Sequence, residues 1–120
     1  MAHRHLQAPL LILAGLLGLT GCHSAMVDAT VQNRSGDLVT LVEVDYPSAS
    51  FGDQNLASGA DFHYRFKVLG SGALKMTYTD IHRQTHSSAG PVLEEQAEGL
   101  LTITIMPTDV RWQTTLKQKQ

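Results

Sequence analysis

Residues 62–68 read Phe-His-Tyr-Arg-Phe-Lys-Val, and no other stretch constrains the fold as strongly. Apolar side chains occupy every second position, with His63, Arg65 and Lys67 between them. Successive side chains of a strand point to opposite faces, so this alternation predicts a strand with one dry face and one wet face. Gly70-Ser71-Gly72 follows, and then Leu74, Met76 and Tyr78 resume the apolar rhythm. Strand, glycine-rich reversal and strand predict a β-hairpin.

The same period recurs along the chain. Val27, Ala29 and Val31 alternate with Asp28, Thr30 and Gln32, and Asn33-Arg34-Ser35-Gly36-Asp37 has turn composition. In residues 38–46, Val42, Val44 and Tyr46 face one way and Glu43 and Asp45 the other. Leu38, Val39 and Leu41 break the rhythm, which predicts either burial on both faces or a bulge. Pro47 closes that strand, and residues 47–61 read as a long polar connection pinned by Phe51 and Leu56, with a short strand around Leu56 as the alternative. Residues 80–96 are the least regular, with a ragged strand interrupted at Ser87-Ser88-Ala89-Gly90-Pro91. Glu94-Glu95-Gln96-Ala97-Glu98 is too short to nucleate a helix alone and reads as a loop or the start of the next strand. Leu101, Ile103 and Ile105 alternate with Thr102 and Thr104. After Pro107-Thr108-Asp109, Val110, Trp112 and Thr114 share a face opposite Arg111 and Gln113. About seven short strands separated by turns predict an all-β fold, a small antiparallel β-sandwich of immunoglobulin-like size over residues 27–116. A polar tail, residues 117–120, follows. The paired cysteines of antibody domains are missing, so the expectation concerns architecture alone.

The first 22 residues differ in character. Met-Ala-His-Arg-His brings positive charge without an acid, and an apolar run of about a dozen residues follows from Ala8 to Leu19. Spanning a bilayer takes roughly 20 apolar residues, so the run fits a secretory signal helix better than a permanent anchor. It ends at Leu19-Thr20-Gly21-Cys22, which holds the only cysteine. This motif resembles the lipobox of bacterial lipoproteins. The resemblance implies that residues 1–21 are a signal peptide removed by cleavage after Leu19, Thr20 and Gly21. It implies that Cys22 is lipidated and becomes the N-terminus, with residues 22–26 as a short tether. His23 stands where an Asp retains many such proteins at the inner membrane, so the implied location is the cell envelope at the outer membrane. Lipidation also accounts for an odd cysteine in an exported chain.

The remaining 99 residues make one domain with no disulfide to staple it. They carry eight Lys and Arg against eleven acids, a net charge of about −3 with the signs interspersed. That argues against nucleic acid as a partner, since nucleic acid selects a basic stripe.

Residues with chemical potential are few and scattered. His82 and His86, with a third ligand, are the best candidates for a copper or zinc site, and His63, Met76 and Met106 carry further donor atoms. Their spacing matches no metal motif: Arg83, not Glu, follows His82. Asp53-Gln54-Asn55 with Asp61 holds oxygens for calcium but lacks the EF-hand spacing. No Ser sits in a Gly-x-Ser-x-Gly elbow, and Glu43 and Asp45 read as solvated strand acids. The expectation is therefore a non-enzymatic module without a cofactor. Its candidate binding surface is the basic row His63, Arg65 and Lys67, with Lys75, Thr77 and Thr79 across the expected hairpin and Thr102 and Thr104 extending it. The connection 47–61 is a second candidate contact. The expected partners are the membrane, through lipid on Cys22, and another envelope protein or a glycan. A metal-binding role for His82 and His86 is the alternative.

Overall fold

The computed structural model describes residues 24–117. The signal segment, the cleavage motif, Cys22 and the end of the tail lie outside them. The described residues form eight strands: β1 (Val27–Asn33), β2 (Val39–Tyr46), β3 (Ala49–Leu56), β4 (Asp61–Phe66), β5 (Gly72–Thr79), β6 (Thr85–Leu93), β7 (Glu98–Ile105) and β8 (Val110–Lys117). They make two four-stranded sheets, ordered β4-β1-β7-β8 and β3-β2-β5-β6.

The local periodicity sets the faces. Val27, Ala29 and Val31 of β1, Leu74, Met76 and Tyr78 of β5, and Leu101, Ile103 and Ile105 of β7 are all buried in one core between the sheets. A buried aliphatic side chain of this size contributes roughly 1.5–3 kcal/mol relative to exposure, so these strands are held by their dry faces.

The departure from strict alternation in β2 is a bulge. Thr40 pairs with Thr79 and Glu43 with Thr77, so β2 carries one extra residue. Leu41 absorbs it with φ of 51° and turns outward. Strand β3 follows the same phase break, pairing Val39 with Leu56 and Val44 with Phe51. Phe51 and Leu56, five residues apart, therefore both reach the core. Gly52 is fixed by this pairing, since a Cβ there would collide with the Val42 carbonyl oxygen.

Four expectations are corrected. The connection 47–61 contains β3, so the strands number eight; a strand with only two buried side chains has too little apolar period to show in the sequence. β4 and β5 are not a hairpin, because β4 pairs with β1 and β5 pairs with β2 and β6 in the other sheet. The chain after β4 crosses between layers with Val68 buried on the way, and the Val68 carbonyl accepts from Gln96 N at 3.2 Å. β6 runs unbroken through Ser87–Pro91, tolerating Pro91 because it is an edge strand with a bulge opposite Ala73 to Lys75. Finally, β1 and β7 are parallel, so the first sheet is mixed.

Two seams close the sides of the sandwich. On one, Phe51 of β3 stacks on Tyr64 of β4 at 4.6 Å between ring centroids, with Phe62, Phe66 and Tyr46 completing the group. Tyr64 therefore sits on the rim, 44% exposed, where the alternation placed it in the core. On the other, Trp112 of β8 lies over Gly90 of β6, and its Nε1 donates to Ser88 Oγ at 2.9 Å. A Cβ on Gly90 would stand 2.6 Å from the indole.

Candidate binding surface

Pairing across β4, β1, β7 and β8 builds the outer face of the first sheet as cross-strand rows. His63 lies beside Thr30, Thr30 beside Thr102, and Thr102 beside Gln113. The next row runs Arg65, Asp28, Leu100 and Thr115. The wet side of each strand supplies these residues because the dry side is committed to the core. Between the rows lies a depression of about 260 Å³, lined by Asp28, Thr30, His63, Arg65, Leu100 and Thr102, among others.

The polar groups there are lightly tied. Thr30 Oγ1 and His63 Nδ1 are hydrogen-bonded at 2.9 Å. Arg65 Nε lies 3.5 Å from Asp28 Oδ1, with both side chains more than half exposed. Exposed ion pairs of this kind contribute less than about 1 kcal/mol, so Arg65 can exchange Asp28 for an incoming anion. Leu100, 58% exposed, puts an apolar contact beside these donors. The surface thus offers cationic, hydroxyl and apolar groups together, which suits binding. Thr102 and Thr104 extend it through β7, as the sequence indicated. Lys75, Thr77 and Thr79 do not, because β5 belongs to the other sheet.

The histidines at 82 and 86 belong to another feature. Asp80 organises the β5–β6 turn: its Oδ1 accepts from His82 N at 2.8 Å and Gln84 N at 3.0 Å. Its Oδ2 accepts from His86 Nε2 at 2.7 Å, while the His86 ring stacks on Tyr78. These bonds, that from His86 foremost, hold the Asp80 carboxyl below its ordinary value. Burial pushes the Tyr78 phenol up, with Asp80 and Asp109 adding to the effect. His82 and His86 line one depression of about 240 Å³ with Met106, Leu38 and Ile81. Among the described residues no three His, Cys, Asp or Glu side chains are grouped to hold a metal ion. His63 and Met76 lie elsewhere, and Met76 is fully buried. Glu43 and Asp45 sit on the outer face of the second sheet, Asp45 opposite Lys75.

One residue of the β1–β2 turn, Asn33, has a structural role that turn composition alone does not reveal. Asn33 is fully buried. Its Nδ2 donates to the carbonyls of Asp37 (2.8 Å) and Leu56 (2.9 Å), and its Oδ1 accepts from Ser35 N (3.0 Å) and Ser35 Oγ (2.7 Å). It joins the β1–β2 loop to the end of β3.

Comparison with models of known protein families and with curated protein sequences finds no match.

Proposed function

We propose that this protein is a lipid-anchored lipoprotein of the bacterial cell envelope, tethered at the outer membrane through Cys22. Its sandwich is a non-enzymatic interaction module. The short distance from the lipobox to the fold carries the reading. Strand β1 begins at Val27, so only residues 22–26 separate the lipidated position from the domain. Five residues reach at most about 17 Å, which holds the domain beside the membrane and directs it to partners there. The immunoglobulin-like description of the sandwich belongs to this reading; two four-stranded sheets and repeated sheet-changing connections support it. The face built on His63 and Arg65, with Lys67 just past the end of β4 beside Ser24, Gln96 and Glu98, is the contact surface, and an envelope protein or an anionic glycan is the partner its chemistry suits.

Cys22→Ala tests the anchor. It should abolish fatty-acid labelling, release the protein from the membrane fraction and leave unprocessed precursor; labelling that persists refutes the anchor. Arg65→Glu with Lys67→Glu tests the surface. The pair should weaken retention of the lipidated protein on isolated envelope material without changing its thermal stability; unchanged retention refutes the surface. Stoichiometric copper or zinc that disappears in His82→Ala/His86→Ala would replace the interaction reading with a metal-binding one.

A further inference from the structure

The two sheets present four edge strands, β4, β8, β3 and β6. Natural sheets guard such edges with bulges, prolines, glycines, mid-strand charge or cover. β6 has its bulge at Gly90-Pro91. β3 carries Gly52 and Asp53 at its centre. β4 is six residues long and is flanked by the Phe51–Tyr64 stack. β8 keeps only the charges near its two ends, Arg111 and Lys117. It runs eight residues without proline, glycine or register shift, and Trp112-Gln113-Thr114-Thr115-Leu116 at its middle is uncharged. Its inward residues Val110, Trp112 and Leu116 are only half-buried, so a strand laid alongside would cover more apolar surface.

We propose that β8 is a dimerisation edge whose occupant is β8 of a second copy, paired antiparallel about a two-fold axis through Gln113. The register follows from side-chain chemistry. Pairing in step requires partners of the same parity, so that inward residues meet inward residues. With Gln113 opposite its own copy, Val110 meets Leu116 twice on the dry face and Trp112 meets Thr114 twice. Arg111 meets Thr115, and Lys117 meets Asp109, the residue just before β8, at both ends. Sliding by one permitted step to centre on Thr114 instead sets Arg111 against Lys117, which repel. Among the described residues Asp109 forms one ion pair, with Arg111 at 3.9 Å and with both side chains more than half exposed, so exchanging that contact for Lys117 costs little. The dimer joins the two outer faces into one eight-stranded sheet surface, doubling the His63–Arg65 face. Its axis is perpendicular to that sheet, so the two β1 strands begin at the same height along it.

The test is oxidative cross-linking of the full-length chain, with single cysteines introduced at Gln113 or Thr115 in the same background. Gln113→Cys should cross-link at least about tenfold more than Thr115→Cys, which this register places four residues out of step with its own copy. Added to Gln113→Cys, Asp109→Lys or Lys117→Asp alone should each lower the yield about fivefold, and the two together should restore it. Equal yields at the two positions, no cross-link at Gln113→Cys, or a double reversal that fails to restore the yield would overturn the proposal.

Discussion

Replacing Asn33 tests how much of the fold depends on one buried amide. Its four side-chain hydrogen bonds connect the β1–β2 loop, through Ser35 and Asp37, to Leu56 at the end of β3. Asn33→Ala removes all four and leaves the Leu56 carbonyl without that donor in a buried setting. A net hydrogen bond contributes about 1 kcal/mol, and an orphaned buried polar group costs about 1–3 kcal/mol. Part of the loss is recovered because Ser35 and Asp37 lie near solvent, which leaves an expected destabilisation of about 3 kcal/mol. Urea unfolding followed by fluorescence of Trp112, the only tryptophan, measures it as a lower midpoint at unchanged slope. Asn33→Asp sharpens the test, since it exchanges the donating NH2 for an oxygen with almost no change in shape. The new carboxylate would face the carbonyls of Asp37 and Leu56, so burial and repulsion would raise its pKa in the folded state. A group with a raised folded pKa favours folding only while protonated. The penalty of Asn33→Asp should therefore be smallest below about pH 4, the ordinary carboxyl value, and grow as pH rises above it, by up to about 1.4 kcal/mol per unit until the folded-state pKa is passed. A loss below about 1 kcal/mol for Asn33→Ala, or a pH-independent difference between Asn33→Asp and the parent, would refute the reasoning.

Other positions give simpler outcomes. Gly90→Ala places a methyl against the Trp112 ring and should cost about 1–3 kcal/mol, with a red-shifted indole emission showing that the ring has been displaced. Phe51→Ala removes the centre of the aromatic seam and should cost about 3–5 kcal/mol in chemical unfolding. The folded-state pKa of Asp80 is lowered, so its contribution is present above the unfolded value near pH 4 and is lost as pH falls through the folded one. Asp80→Asn should accordingly lower stability at neutral pH and narrow its difference from the parent in acid, measured by thermal melts across pH 2–7.

Much of the fold was legible because side-chain alternation is a local property. Each of β1, β5 and β7 shows its dry face in its own residues, and those faces are the ones buried. β3 was hidden because its phase is borrowed: Phe51 and Leu56 share a face only because β3 follows the bulge in β2. β6 was obscured by Gly90-Pro91, a pair that an edge strand accepts at a bulge and a central strand would not. Of the candidate surface, the outward direction of His63, Arg65 and Lys67 was readable from the sequence, but their neighbours were not.

The sequence by itself determined which side chains of β1, β5 and β7 turn inward, the lipobox resemblance at Cys22 and the absence of a disulfide. Only the tertiary structure decided which strands are neighbours. A glycine-rich Gly70-Ser71-Gly72 permits either a hairpin or a crossing between layers. The choice depends on contacts far apart in sequence: β4 pairing with β1, the Phe51–Tyr64 seam, and Val68 held under Gln96. Periodicity gives a strand its two faces, but neighbours are selected by the total burial and hydrogen bonding of the assembled sheets, which no single segment encodes.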